Sequence, residues 1–346
     1  MKHQTTRYGE IPFYKIGTFG NTADAFISKK LFLEYKTKYS FPKKGDILIS
    51  ASGTIGRAVI YDGKPAYFQD SNIVWIDNDE TLVKNDFLFY AYSNVKWNTE
   101  HTTILRLYND NFRNTLIPLP SLNEQSAIAN ILSDLDRYLC ALDALILKKE
   151  SVKKALSFEL LSQRKRLKGF NQAWQRVRLG DIANYLTSNL SAEQITQQGK
   201  IKVYDVNNFI GYTDTTFISD KPYISIVKDG SVGRVRILPP KTNILSTMGA
   251  LIANHRTTTE FLFYLLSNFD FKNFTSGSII PHIYFKDYKE KTIFLPPLNE
   301  QSAIANILSG LDNEIASLKN KKRQFENIKK ALNHDLMSAK IRVLKK

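Results

Sequence analysis

A single cysteine, Cys140, occurs in the 346 residues, and apolar residues never form a long uninterrupted run. One cysteine excludes a disulfide framework and any zinc site built on several thiolates. No stretch approaches the roughly 18 apolar residues that a membrane-spanning helix needs. Residues 1–10 are polar and lack the apolar core of a signal peptide. We therefore expect a protein of the reducing cytoplasm that has no membrane partner.

Acidic residues are also scarce relative to basic ones. The chain has 33 aspartates and glutamates against 48 lysines and arginines, which gives a formal net charge of +15. Such an excess indicates a polyanionic partner, more often nucleic acid than a membrane surface. Hydrophobic residues make up 43% of the chain, as in ordinary folded proteins. At roughly 150 residues per domain, the length predicts about two domains.

The chain contains an internal repeat. Residues 122–133 recur unchanged as residues 298–309, twelve identical positions at an offset of 176. The same offset relates residues 153–156 to residues 329–332. Upstream of these blocks the two copies are related but diverged. Each half is therefore one variable segment followed by one nearly constant segment.

Both constant segments predict long helices. Asn123 and Asn299 suit the N-cap position, an acidic residue follows each of them, and Gly169 suits the end of the first helix. About 40 helical residues make a rod of roughly 60 Å, which needs a partner, and its own duplicate is the obvious one. We therefore expect antiparallel rods related by an internal pseudo-two-fold axis. The predicted apolar seam comprises Ile128, Leu132, Leu135, Leu139, Leu142, Ile146, Leu156 and Leu160, and Ile304, Leu308, Leu311, Ile315, Leu318, Phe325, Leu332 and Leu336.

The identity of the two twelve-residue blocks exceeds what helix packing alone requires. The simplest interpretation of the seam is a core and a spacer. An exposed face that touches a duplicated partner would explain the identity of the remaining positions, and so would a recent gene duplication. Both explanations stay open from the residues alone.

The variable segments are predicted to be rich in β-structure with some helix. Two predicted hairpins, residues 46–61 and 224–238, each enclose a turn Gly-(Thr/Ser)-(Ile/Val)-Gly followed by Arg57 or Arg234. Glycine lets a backbone approach a phosphate closely, so these arginines could contact DNA; a structural hairpin with a solvated arginine is the alternative. The candidate DNA-contacting residues are Lys43, Lys44, Thr54, Arg57, Lys228, Ser231 and Arg234.

Basic residues are concentrated in two matched runs. Residues 143–168 carry eight basic and three acidic side chains, and residues 319–346 carry ten basic and two acidic ones. Runs of this kind are usually solvated helix faces. In a basic protein with two domains they could also follow a phosphate backbone.

Signatures of catalysis are missing from the sequence. It has no Gly-x-x-x-x-Gly-Lys-(Ser/Thr) phosphate loop, and its five histidines lack metal-ligand spacing. The pairs Glu34/Lys36 and Asp287/Lys289 have the acid-x-Lys spacing found in some nucleases, but they do not align between the two copies. A stand-alone nuclease is therefore the weaker alternative to a non-catalytic DNA-binding protein.

Several of these features together resemble a known family. Residues 295–304 read Leu-Pro-Pro-Leu-Asn-Glu-Gln-Ser-Ala-Ile, and residues 119–128 repeat them with Ser121 in place of the second proline. These blocks, the glycine turns and the opening segment Trp-Gln-Arg-Val-Arg-Leu-Gly-Asp-Ile at residues 174–182 resemble the specificity subunits of prokaryotic type I restriction–modification systems. The resemblance covers nearly the whole chain.

The resemblance implies an α+β fold with two globular target-recognition domains, residues 1–121 and 170–297, separated by two long antiparallel coiled-coil helices, residues 122–169 and 298–346. Each domain would read one half of a bipartite duplex-DNA target, and the helices would set the spacer. The chain would bind no cofactor and carry no catalytic residue. Two methyltransferase subunits using S-adenosylmethionine would dock on the helices, and restriction subunits using ATP and Mg²⁺ would join them. The docking candidates are Asn123, Glu124, Gln125, Asn299, Glu300 and Gln301.

One departure from the family pattern concerns the first variable segment. Residue 1 corresponds to about Ser191, so the opening segment has no counterpart ahead of the first copy. A truncated or silent recombination cassette, which supplies recognition domains without being assembled itself, is therefore the second alternative.

Overall fold

The structure is a computed structural model that describes residues 4–68, 72–97 and 106–344. Helices and strands are both abundant in these ranges, as the predicted α+β class requires. Although two helices are long, none within these ranges is apolar enough over 18 residues to cross a membrane. The α-helices are α1 (Lys29–Lys38), α2 (Asn85–Tyr92), α3 (Asn109–Arg113), α4 (Leu122–Leu161), α5 (Thr259–Ser267), α6 (Phe285–Tyr288) and α7 (Leu298–Met337).

Contacts between residues divide the chain into two units. Unit 1 comprises Met1–Asp143 and Asn320–Lys346, and unit 2 comprises Ala144–Lys319. The boundary falls within both 40-residue helices. The first part of α4 and the last part of α7 therefore belong to unit 1, whereas the last part of α4 and the first part of α7 belong to unit 2.

Unit 1 has the strands β1 (Ile11–Tyr14), β2 (Ala25–Ile27), β3 (Ile47–Ser50), β4 (Ala58–Ile60), β5 (Tyr67–Phe68) and β6 (Ile73–Trp75). They form two three-stranded sheets, ordered β2-β1-β5 and β4-β3-β6. In the first sheet β1 is antiparallel to β2 and parallel to β5. The second sheet is antiparallel throughout. Its central strand β3 is buried on both faces, which explains the continuous apolar run Ile47-Leu48-Ile49.

Unit 2 has the strands β7 (Gln175–Arg178), β8 (Ala183–Thr187), β9 (Ile201–Tyr204), β10 (Phe209–Thr213), β11 (Tyr223–Val227), β12 (Val235–Leu238), β13 (Thr242–Ile244), β14 (Met248–Ala253), β15 (Thr275–Ser276), β16 (His282–Ile283) and β17 (Thr292–Leu295). The sheet β10-β9-β13 repeats β2-β1-β5, with one antiparallel and one parallel pair. The sheet β12-β11-β14-β8 repeats β4-β3-β6 and adds β8 at one edge. Two further pairs are β17-β7 and β15-β16. The predicted hairpins are confirmed as β3–β4 and β11–β12.

Within each unit the two long helices run antiparallel. From Asp136–Lys329 to Asp143–Lys322 in unit 1, and from Glu150–Lys319 to Lys153–Asp312 in unit 2, a later residue of α4 pairs with an earlier residue of α7. Every residue of the predicted seam is buried or half-buried, so the seam is confirmed as a packing stripe. Within unit 1 the seam also packs against the globular core, where Ile128 and Leu132 cluster with Phe87. The interhelical ion pairs are Asp136–Lys329 and Asp143–Lys322 in unit 1, and Lys149–Glu314, Glu150–Lys319 and Lys153–Asp312 in unit 2.

The long helices begin earlier than the sequence predicts. The carbonyl of Ser121 accepts from the Gln125 amide at 2.8 Å, and the carbonyl of Pro297 accepts from the Gln301 amide at 2.9 Å. The N-cap residue is the one whose carbonyl accepts the first helical bond, so Asn123 lies two positions inside its helix. The N-cap prediction for Asn123 and its duplicate was therefore wrong.

The first long helix also ends before the predicted stop. α4 ends at Leu161, eight residues ahead of Gly169. Gln163 adopts φ +62°, and the Lys165 amide donates to the Glu159 carbonyl at 3.1 Å. A left-handed residue at this place closes the last helical turn, as glycine often does. The prediction that Gly169 ends the helix was wrong because a non-glycine residue takes that conformation.

Candidate nucleic-acid interface

The glycine turn of unit 1 is held by backbone bonds across the β3–β4 hairpin. The Gly56 amide donates to the Ser50 carbonyl, and the Ser50 amide donates to the Arg57 carbonyl. Gly53 and Gly56 have φ of +67° and +81°, a region that residues with a Cβ rarely adopt. A Cβ at Gly56 would also lie 2.4 Å from Nε1 of Trp97. The turn therefore requires glycine for its conformation and, at Gly56, for space.

Unit 2 builds the same turn across β11–β12. The Gly233 amide donates to the Val227 carbonyl, and the Val227 amide donates to the Arg234 carbonyl. Gly230 and Gly233 have φ of +83° and +79°. Here a ring carbon of Phe271 would lie 2.6 Å from a Cβ at Gly233. The two copies thus keep one backbone geometry and cover its second glycine with a different aromatic ring.

In each turn, the candidate DNA-contacting residues that lie between the two glycines or directly after them are exposed to solvent. Thr54, Arg57, Ser231 and Arg234 are all exposed. Arg57 Nη1 donates to the Phe19 carbonyl at 2.9 Å, so part of this guanidinium serves the fold. The side chain of Arg234 makes no hydrogen bond or ion pair with another described residue. The structural interpretation therefore applies in part to Arg57, whereas the side chain of Arg234 is left available for contact with DNA.

The lysine candidates are not all near these turns. Lys43 and Lys44 precede β3 whereas the turn follows it, so both lie at the far end of the hairpin from Arg57. Lys43 pairs with Asp77 at 3.3 Å, and both side chains are largely exposed. Lys228 comes directly after β11, beside the unit 2 turn, and is half-buried. The structure brings Lys228 together with the turn and separates the other two lysines from it.

A histidine beside the unit 2 turn escaped the sequence analysis. Nδ1 of His282 lies 2.6 Å from a carboxylate oxygen of Asp229, the residue ahead of Gly230. The Gly230 amide also donates to the Pro281 carbonyl at 2.9 Å. Next to these residues Ile279 is 92% exposed. The two segments are about 50 residues apart in the chain, so no local pattern could have indicated that they meet.

The duplicated glutamines fasten each long helix to its globular domain. Each side chain accepts from a backbone amide near the start of a short helix and donates to two carbonyls. Both side chains are buried. The Gln125 partners are the Lys84 amide and the Leu82 and Pro120 carbonyls; the Gln301 partners are the Thr258 amide, the Thr257 hydroxyl and the Arg256 and Pro296 carbonyls.

The duplicated glutamates bind arginines that are themselves repeat partners. Arg342 donates to both oxygens of Glu124 at 3.2 and 2.6 Å, and Arg166 does the same to Glu300 at 3.1 and 2.6 Å. The hydrogen bonds from Arg342 hold the pKa of Glu124 below its usual range. Glu300 has one additional donor, the Trp174 indole at 2.9 Å. Each arginine lies in the residues just after the long helix of the other repeat, since α4 ends at Leu161 and α7 ends at Met337.

This burial disagrees with part of the docking prediction. Both duplicated Glu-Gln pairs are between 0% and 3% exposed, and the partners just described occupy their polar atoms. A buried, internally bonded side chain is not accessible to another subunit, so the docking assignment of Glu124, Gln125, Glu300 and Gln301 is corrected to an internal one. Asn123 and Asn299 are exposed, and their docking role stays a prediction.

A second duplicated contact joins each short helix to both rods. In unit 1 the Tyr90 hydroxyl donates to Asp136 at 2.8 Å, and Lys329 binds the same carboxylate from α7 and lies over the tyrosine ring. Burial, and secondarily the aspartate, raises the pKa of this tyrosine well above its usual range. The corresponding residues of unit 2 are Tyr264, Asp312 and Lys153, with a hydroxyl–carboxylate distance of 2.9 Å.

The two acid-x-Lys pairs, Glu34/Lys36 and Asp287/Lys289, lie in different units. Glu34 is on α1 of unit 1 and Asp287 is on α6 of unit 2, and both are exposed. Among the residues that the structure describes, no three histidine, cysteine or carboxylate side chains are placed to hold a metal ion. Among the described residues, the surroundings of these pairs therefore give the nuclease interpretation no support beyond the spacing itself.

The sequence matches one family along most of its length. The family described as "Type I restriction modification DNA specificity domain" matches residues 1–150 and 171–327. The two matches include both glycine turns and both copies of the Asn-Glu-Gln block.

Individual relatives agree with the family match. Over 133 residues the chain is 64% identical to a Haemophilus influenzae protein named as type I restriction enzyme specificity subunit S.HindORF215P; the match covers 38% of this chain and about a third, 34%, of that protein. It is 26% identical to the type I restriction enzyme MjaVIII specificity subunit of Methanocaldococcus jannaschii, covering 92% of this chain and 84% of the relative. The crystal structure of a type I restriction–modification S subunit from M. genitalium superposes with a TM-score of 0.63 at 20% identity, covering 97% and 91% of the two chains. This likeness shows a shared fold.

Proposed function

The chain belongs to the family of type I restriction–modification DNA specificity proteins, and we propose that each of its units reads one half of a bipartite duplex-DNA target. The observation that carries the proposal is the duplicated glycine turn. It presents an exposed hydroxyl and an exposed arginine on a backbone that can approach a phosphate closely. A protein with two such turns and a charge of +15 is suited to two separate contacts on one polyanion.

We propose that the long helices set the distance between the two half-sites. Each is 40 residues long. Ion pairs and the apolar seam fix their register within each unit. A change of length in one helix alone would break that register. Matched changes in both helices would keep it and would lengthen the unread DNA spacer.

The exposed face of the duplicated block is the proposed docking surface for two methyltransferase subunits. Asn123, Ser126 and Asn130 are exposed on α4, and identical residues recur on α7. Two identical polar faces suit two copies of one partner. In this proposal S-adenosylmethionine, ATP and Mg²⁺ are bound by the methyltransferase and restriction subunits, and this chain supplies recognition without catalysis.

Footprinting of the purified complex with the methyltransferase subunits tests the proposal. We expect two short protected blocks separated by an unprotected spacer. Double insertion of one heptad, in α4 and in α7, should move the blocks apart, whereas a single insertion should reduce assembly. One contiguous block would contradict bipartite reading, and failure to co-purify with the methyltransferase would favour the unassembled cassette.

A further inference from the structure

We propose that the tip of the β15–β16 hairpin in unit 2, residues 277–281, is an apolar wedge that enters duplex DNA and unstacks one base-pair step. This segment, the isoleucine tip, carries Ile279 and Ile280. The inference rests on the proposed function and extends it from contact with the duplex to its deformation. It concerns unit 2, because the corresponding residues of unit 1, 101–105, lie outside the described part of the chain.

Two adjacent isoleucines make the tip both apolar and exposed. Ile279 is 92% exposed, more than any other large apolar side chain of unit 2, and Ile280 is 54% exposed. Single exposed apolar residues are common on protein surfaces, but two β-branched neighbours at the end of a hairpin form a compact apolar point. Side chains of this kind are the ones that proteins insert between base steps.

Backbone and side-chain contacts fix the tip on its hairpin. Gly277 has φ +88°, and a Cβ there would lie 2.3 Å from the Ile280 carbonyl oxygen, so the loop closes tightly on itself. Behind the tip, Ser276 pairs with His282, whose Nδ1 lies 2.6 Å from a carboxylate oxygen of Asp229. A tip that is ordered in advance loses little conformational entropy when it inserts.

The tip lies beside the glycine turn that the proposed function assigns to a phosphate. The Gly230 amide donates to the Pro281 carbonyl at 2.9 Å. Ile279 is two residues from Pro281, and two residues of chain span at most about 7 Å. Successive phosphates of one strand are about 3.4 Å apart along the duplex axis. The isoleucines therefore fall within about two base-pair steps of the phosphate that the turn would contact.

The side chains around the tip suit a nucleic acid. Arg234 of the turn is exposed, and its side chain makes no hydrogen bond or ion pair with another described residue. On the other side of the tip, Lys286 Nζ lies 5.5 Å from the centre of the Tyr284 ring, and both residues are exposed. The one carboxylate of the turn, Asp229, is engaged by His282. Arginine and lysine contacts combined with an apolar wedge are typical of proteins that kink DNA.

The test uses the complex of the full chain with the methyltransferase subunits and the duplex that footprinting identifies. The base analogue 2-aminopurine, which fluoresces more strongly when it is unstacked, replaces one base at a time across both half-sites. We expect the wild-type complex to raise the fluorescence at one or two adjacent positions. Extrusion of a base by the methyltransferase would also raise it, so variants of the tip decide the assignment.

The double variant Ile279→Ala/Ile280→Ala should lose this increase and bind DNA about tenfold more weakly, because burial of the apolar side chains is lost. Its melting temperature should not change, since both side chains are exposed in the free protein. Ile279→Met/Ile280→Met keeps an apolar wedge and should keep the increase. The matched control Phe294→Ala, which removes another exposed apolar side chain of unit 2, should change neither fluorescence nor affinity.

The possible failures are distinguishable. A wild-type complex that binds its bipartite target without any fluorescence increase would overturn the wedge and leave the proposed function intact. An increase that persists in the double alanine variant would also overturn it. Loss of co-purification of that variant with the methyltransferase would assign the tip to a protein contact instead. A wild-type complex that binds no duplex would contradict the proposed function itself, and the wedge with it.

Discussion

The two units share a scaffold and differ in what they attach to it. Both repeat the glutamine that fastens the long helix, the Glu–Arg pair and the Tyr–Asp–Lys contact, with nearly the same distances. Their recognition segments diverge in sequence. Among the residues that the structure describes, the sheet with β8 has four strands in unit 2 and its unit 1 counterpart has three. The duplicated block is therefore constrained first by intramolecular geometry, which leaves the turns and loops free to vary.

Replacing the buried glutamines should produce the largest difference in stability between the two units. Gln301→Ala removes the partners of an amide and two carbonyls and should destabilise unit 2 by about 3 kcal/mol, since each unsatisfied buried group costs about 1–3 kcal/mol. Gln125→Ala should destabilise unit 1 by roughly 1 kcal/mol less, because it lacks the hydroxyl partner. Hydrogen-exchange mass spectrometry measures opening in each unit separately. Equal effects of both variants in both units would contradict the local assignment.

Variants of the two turn arginines should distinguish an effect on stability from an effect on DNA affinity. Arg234→Ala should reduce the salt dependence of DNA affinity by a slope of about 0.9, the contribution of one phosphate, and leave stability unchanged. Arg57→Ala should also lose about 1 kcal/mol of stability, because its guanidinium binds the Phe19 carbonyl. Affinity titrations at several salt concentrations and urea unfolding measure the two effects. An unchanged slope for both variants would leave only the structural interpretation of the turns.

The smallest expected difference concerns the tyrosines at the rods. Burial raises the pKa of Tyr90 and Tyr264 above the ordinary value of 10.0. Below pH 10 the tyrosine is protonated in both the folded and the unfolded chain, so its contribution to stability is complete. Above pH 10 only the unfolded chain loses the proton, and the free energy of unfolding should fall.

Tyr90→Phe and Tyr264→Phe should each cost about 1 kcal/mol at neutral pH and flatten the alkaline decline. Urea unfolding at a series of pH values checks this. A decline that is as steep in the double variant as in the wild-type chain would assign it to other groups.

Much of the fold could be predicted from local pattern. Heptad spacing indicated both long helices, and Gly-x-x-Gly between apolar runs indicated both hairpins. The N-caps and the end of the first helix were missed because Ser121, Pro297 and Gln163 perform roles that asparagine and glycine commonly take. The His282–Asp229 contact could not be predicted, since it depends on how two distant segments pack.

The sequence by itself determined that the chain is a duplicated, basic protein with two long amphipathic helices and two glycine turns, because repeats, periodicity and charge are properties of residue order. Only the tertiary structure decided what the repeated polar residues do. Glu124, Gln125 and their duplicates looked suited to a partner subunit but are buried against their own domains. Burial depends on which surfaces meet, and which surfaces meet is decided between segments, not within them.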